Sequence, residues 1–228
     1  MSQNSSKLPA LKRLGYIIGL PIWVFAGFMA AQLIVLAIIA GLQAAGVSFS
    51  SVNPAVFNSV GAAGIYAFAI ALVIGVPYFI KKSKTNREEL GLKTAPTWLD
   101  FGWAPIGMVV YLILTSIVMS LAEKVLTFVD YAEKQDTGFS TIASHPEYAL
   151  AFISLVIIAP LAEEILFRGY LLGKLRTYAP VWVSILITSL LFGLVHFQWN
   201  VSIDVFVLSI VLCLLRVTCC ISRHFVAT

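Results

Sequence analysis

The residues of this chain best suited to chemistry are two adjacent glutamates, an arginine and a histidine. The first three stand in PLAEEILFRGYLLGKLR (160–176), as Glu163, Glu164 and Arg168. On an α-helix Glu164 and Arg168 are four apart and share a face, with the acid on the N-terminal side, the favoured order for an ion pair. Glu163 points about 100° away and has no partner within the motif. A carboxylate inside a membrane is costly, faces the protein interior and marks function by default. Desolvated, it suits the work of a general base. The competing reading sets these charges at the cytosolic edge of a span, where they cost little. REELGLK (87–93) carries Glu88, Glu89 and Lys93 in the same spacing. It lies in a polar loop and reads as a solvated helix pair.

The histidine stands in SLLFGLVHFQWN (189–200) as His196, with Phe192 four residues before it on the same helical face. Alone, a histidine at a membrane edge reads as structural. Its spacing to Glu163 changes that. Ala179-Pro180 marks a turn, because proline suits a helix start. Glu163 precedes this turn by roughly 16–17 residues and His196 follows it by about 16, so each lies roughly 25 Å from it. An antiparallel hairpin would bring the two to one depth. Metal-assisted hydrolysis is then one chemistry open to them, with zinc or another divalent ion on His196 and Glu163 as ligand or as base on a bound water. One histidine and one glutamate fall short of a three-ligand zinc site.

The elements that must position these residues are membrane spans. Of 228 residues, 60% are hydrophobic and 11% charged, against about 45–50% and 25% in soluble domains. Apolar stretches near or above about 18–20 residues recur along the chain, the mark of an integral membrane protein. The expected architecture is an all-α, polytopic helical bundle of about six transmembrane helices. Spans are predicted over 15–43, 56–80, 102–125, 148–177, 180–197 and 202–217. Gly27 and Ala31 give the first a small-xxx-small packing face. No repeat or low-complexity tract appears, so 1–228 reads as a single membrane domain: N-terminal spans over 15–125, a core over 148–217 and an atypical tail over 218–228.

The net charge of +4 has no soluble basic fold around it, so nucleic acid is not an expected partner. The basic clusters set topology instead. Lys7, Lys12 and Arg13 place the N-terminus in the cytoplasm. Lys81, Lys82, Lys84 and Arg87 place the second loop there, and Arg168, Lys174 and Arg176 the turn after helix 4. The loops 44–55 and 126–147 are then external. The first apolar run, about 14–47, far exceeds the roughly 7–15 residues of a signal peptide core and reads as a retained span. Cys213, Cys219 and Cys220 form no C-x-x-C pair and read as apolar fillers.

Together, Glu163-Glu164-xxx-Arg168 and, about thirty residues on, Phe192-xxx-His196 resemble the paired signature of the CPBP family. These are the CAAX-prenyl-protease-like and bacteriocin-processing proteins, also called the Abi family. APLAEEILFRGYLLGKL, LLFGLVHF and the REELGLK loop are similar to segments these proteins carry. The strong resemblance covers about 150–200. It implies a helical intramembrane endopeptidase, with membrane lipids and a peptide or prenylated-protein substrate as partners. It implies Glu163 as the base on the attacking water and His196 as metal ligand or oxyanion stabiliser. Glu164 and Arg168 would hold the geometry. A bacterial cytoplasmic membrane is the implied setting.

The family pattern also asks for a third motif, a histidine followed four residues later by Asn or Asp. His224 is followed at that spacing by Thr228 and reads as a tail residue. The abrupt TCCISRHFVAT suggests a sequence truncated or frame-shifted after about Arg216. His196-xxx-Asn200 matches the third pattern in letters, and Asn200 is a candidate to orient His196. Two alternatives stand beside the protease. One is a non-catalytic bacteriocin-immunity or binding protein on the same scaffold. The other is a small transporter in which Glu163 and Glu164 relay protons, against which the absence of a repeat argues.

Overall fold

A computed structural model describes residues 8–81, 85, 90, 98–135, 139 and 144–226, apart from the side chains of 81, 99, 100 and 219–226. The REELGLK acids and the side chain of His224 lie outside this set. Among the described residues there is no strand. Five helices are long and apolar enough to cross a membrane. They are α1 (Ala10–Ala44), α2 (Pro54–Ile80), α3 (Trp98–Val125), α4 (His145–Leu175) and α6 (Trp199–Val226). Between the last two lies α5, Val181–Leu194. The protein is a polytopic helical membrane protein.

The sequence predicts a sixth full span over 180–197, but α5 has only 14 residues. Its length is about 21 Å, short of a hydrocarbon layer of about 30 Å. The cause is local. The backbone leaves the helix at Val195, and Phe197 adopts a φ of 55°, a left-handed conformation that no helix propagates. Helices α2 and α4 are also not uniform. Segments Ala71–Gly75, Ile153–Ile158 and Glu164–Leu171 are π-helical, with hydrogen bonds that skip one residue more than in an α-helix.

The described residues fall into two compact units. One takes those of Ile22–Asn86 and Asp136–Leu166; the other takes those of Met1–Pro21, Arg87–Gln135 and Phe167–Thr228. We call them the glutamate unit and the histidine unit.

In the glutamate unit, Gly27 and Ala31 form a buried packing face on α1, as their spacing predicts. A Cβ on Gly27 would stand 2.6 Å from Val73 Cγ2, so only glycine admits this approach. Trp23 Nε1 donates to the Val73 carbonyl at 3.0 Å, inside the first π-helical segment. The starts of α2 and α4 are capped and linked. Asn53 Oδ1 accepts from Ala55 N at 2.9 Å and Val56 N at 3.4 Å, with Pro54 opening the helix. Ser144 and Glu147 form a capping box on α4. The Asn53 amide then donates to Glu147 Oε1 at 2.6 Å. Each cap satisfies backbone donors that a helix start leaves open.

In the histidine unit, α6 packs against both α3 and α5. A Cβ on Gly193 would lie 2.7 Å from the Ser202 carbonyl oxygen, and one on Gly107 would lie 2.5 Å from Leu215 Cδ1. Leu172, Ile185, Cys213 and Val217 form a buried cluster with Ile210 against it. Cys213 thus takes the filler role its setting predicts. The turn between α4 and α5 falls at Arg176–Pro180, where Ala179-Pro180 places it. Arg13 Nε donates to the Tyr178 carbonyl, and Tyr16 stacks on Tyr178 with centroids 4.3 Å apart.

Candidate functional site

Glu163 ends an α-helical stretch and Glu164 opens the eight-residue π-helical segment that follows. The 100° step assumed for an α-helix therefore does not carry across this pair. Local widening of this kind recurs at functional positions in helices. Both glutamates are half-buried and belong to the glutamate unit. Glu163 stands twelve residues before Leu175 in the sequence of α4. Its carboxylate accepts a hydrogen bond from Tyr66 Oη at 2.9 Å on Oε1. Phe28 packs against that phenol with ring centroids 6.2 Å apart. Sequence reasoning missed Tyr66, because a tyrosine in an oily span also reads as packing.

Arg168 and His196 belong to the histidine unit, and there Phe192 joins them. The Arg168 guanidinium carbon lies 4.1 Å from the Phe192 ring centroid, and Arg168 is only 2% exposed. A desolvated guanidinium on an aromatic face gains about 2 kcal/mol. Phe167 meets the same ring edge-on at 5.0 Å, and His196 does so at 5.1 Å. Phe192, 3% exposed, is thus the common surface on which an arginine of the first motif and the histidine of the second rest. The two rings meet as the Phe192-xxx-His196 spacing suggests, but His196 lies beyond the end of α5 and not on a shared helical face.

His196 lies two residues beyond α5, half-buried in the turn. Its Nδ1 is 2.7 Å from the Phe192 carbonyl oxygen. A carbonyl only accepts, so Nδ1 carries the proton in this contact. The ring thereby caps an open carbonyl of the last helical turn. In the neutral ring the lone pair then sits on Nε2, the form that accepts a proton or binds a metal.

Asn200 makes no direct hydrogen bond to His196. Its Nδ2 donates to the Glu133 carbonyl at 2.8 Å, and its Oδ1 accepts from Val201 N at 2.8 Å. Both ends of the amide are committed to the backbone, because Asn200 sits in the first turn of α6, where amide groups cap. Among the described residues, no group of three or more His, Cys, Asp or Glu could hold a metal ion. The expected ligand pair of Glu163 and His196 gains no third donor there.

A second carboxylate also escaped sequence reasoning. Asp204 on α6 accepts from Tyr111 Oη, at 2.9 Å to both oxygens, and from Thr115 Oγ1. A lone acid in an apolar span was signal enough to find it.

In this helical membrane protein the fourth helix carries paired acids and the turn after α5 carries a histidine. Residues 145–224 match the family described as Type II CAAX prenyl endopeptidase Rce1-like. The resemblance drawn from the two motifs is borne out over that segment, where the chain is similar to that family. Two curated proteins are similar over part of it. An uncharacterized 24.3 kDa protein of Escherichia coli is 44% identical over 59 residues, 25% of this chain and 27% of that protein. UPF0177 protein YxdF of Lactococcus lactis is 42% identical over 66 residues, 28% of this chain and 36% of that protein. The matches therefore span only about a quarter to a third of these relatives' length. No solved structure matches the chain significantly.

Proposed function

We propose that this protein is an intramembrane endopeptidase of the CAAX-protease kind, with Glu163 as the base that activates the attacking water. One observation carries the reading: the Rce1-like match over 145–224 contains Glu163, Glu164, Arg168 and His196 together. The setting of Glu163 supports it. A half-buried carboxylate fixed by the Tyr66 hydroxyl is oriented before substrate arrives, which general-base catalysis requires.

His196 acts through Nε2. Because Nδ1 is engaged by the Phe192 carbonyl, the neutral ring accepts at Nε2. Donation to an oxyanion requires the doubly protonated ring. Arg168 holds the Phe192 surface on which His196 rests. The substrate is a peptide or prenylated protein reached from the bilayer. The bacterial origin of the two relatives supports a cytoplasmic membrane.

The test uses purified protein in lipid nanodiscs with farnesylated and leader-type peptides. Cleavage is expected, and Glu163→Gln should lower kcat/KM by about 10²–10⁴-fold. Full activity in that variant would remove Glu163 from the role. Peptide binding without cleavage would favour a non-catalytic binding protein on this scaffold.

A further inference from the structure

His196 owes its ring orientation to a turn, and the turn needs its own support. It joins α5 to α6 over 195–198 and contains the left-handed Phe197. The hairpin itself is close-packed where Gly193 meets Ser202. Its attachment to α3 and the segment after it includes polar bonds. Gln198 Nε2 and Asn200 Nδ2 both donate to the Glu133 carbonyl, at 3.3 and 2.8 Å. Trp199 packs edge-on against Phe128 at 5.8 Å. One turn further along α6, Asp204 binds Tyr111 and Thr115. Asn200 and Asp204 are four apart and share one face of α6, where Asn200 reaches the Glu133 carbonyl and Asp204 the Tyr111 and Thr115 hydroxyls of α3. Asp204 is the one acidic residue in the sequence of α6. Packing alone would be served more cheaply by an apolar side chain at this place.

We propose that Asp204 and Asn200 are positioning residues for His196: their stripe on α6 locks the 195–198 turn and so holds Nδ1 on the Phe192 carbonyl, leaving Nε2 as the acceptor. This deepens the reading of His196 as a site residue and rests on it only for the kinetic part of the test.

The test is ¹⁵N spectroscopy of histidine-labelled full-length protein, with the His196 signal assigned by its loss in His196→Gln. Wild type should show His196 as the Nδ1–H tautomer at neutral pH. In Asp204→Ala the ratio of Nδ1–H to Nε2–H should fall about fivefold or more, the scale of one lost hydrogen bond. Asp204→Asn, which keeps an acceptor, should restore the wild-type ratio. If Asp204→Ala does not fold, the Tyr111→Phe/Thr115→Val pair removes the donors with shape kept, and the same fall is expected. An unchanged tautomer ratio in whichever variant folds overturns the proposal. In a peptidase assay the same variants should lose kcat with KM unchanged. A loss confined to KM also overturns it. Absence of peptidase activity in wild type would count against the protease reading alone, since the tautomer measurement does not depend on it.

Discussion

Tyr66 and Glu163 form the hydrogen bond most exposed to a simple experiment, because one oxygen atom can be removed with the ring left in place. Tyr66→Phe should lower the stability of the purified protein by about 1–2 kcal/mol, between the range for bonds to charged groups and that found within membranes. Thermal unfolding in detergent measures this, and an unchanged midpoint would mean that the bond contributes nothing net. Phe197 offers the opposite kind of test. Its φ of 55° costs an L-residue about 1–2 kcal/mol, which glycine escapes and asparagine partly escapes. Phe197→Gly and Phe197→Asn should therefore match or exceed wild-type stability. Phe197→Val should fall below both, since a β-branched residue is the worst fit there.

At the scale of elements, glycine placement decides which helices touch. Gly193→Ala should destabilise by about 1–3 kcal/mol, because its new Cβ would meet a backbone oxygen at 2.7 Å. Gly61→Ala should cost nothing or stabilise, since no atom lies within 4 Å of its Cβ position. Denaturation midpoints of the pair, compared side by side, check the contrast. Elements are also where the sequence spoke most clearly. The long helices were legible as oily runs, and the α4–α5 turn as Ala179-Pro180. The contact of Phe192 with His196 was legible from their spacing, although His196 stands beyond the helix. The π-helical register at Glu164–Leu171 was not legible, because a one-residue shift in hydrogen bonding leaves the hydrophobic pattern intact. Nor was the early end of α5: Val195 and Phe197 are as apolar as the helix they terminate. Tyr66 and Asp204 find their partners about ninety residues away in the chain, a distance no local periodicity spans.

For the whole molecule, three contacts bear on how the chain threads the bilayer. Arg13 and Tyr16 meet Tyr178, so the start of α1 and the α4–α5 turn share a side. Asn53 meets Glu147, so the α1–α2 and α3–α4 connections share a side. Gln198 and Asn200 meet Glu133, which joins the α5–α6 turn to the α3–α4 connection. Each agrees with the alternation predicted from the basic clusters. In a cysteine-less background, single cysteines at Lys12 and Arg176 should react with a membrane-impermeant thiol reagent only from the cytoplasmic face. One at Asp130 should react only from the opposite face. Labelling of Arg176 and Asp130 from one side would break the assignment.

The brevity of α5 has a consequence for the bilayer itself. At about 21 Å it stops about 9 Å short of the far side of the hydrocarbon layer, while its neighbours are long enough to reach it by tilting. Lipid bordering α5 must therefore thin, at a cost of a fraction of a kcal/mol per ångström. The headgroup boundary is then expected to lie nearer the turn that carries His196. The chain should accordingly hold its fold to higher temperature in 14-carbon than in 20-carbon phosphatidylcholine, with the preference lost if α5 is lengthened by two turns. The hydrolysis proposed for this chain would need water more than depth, and a helix cut short is expected to bring the waterline toward the histidine.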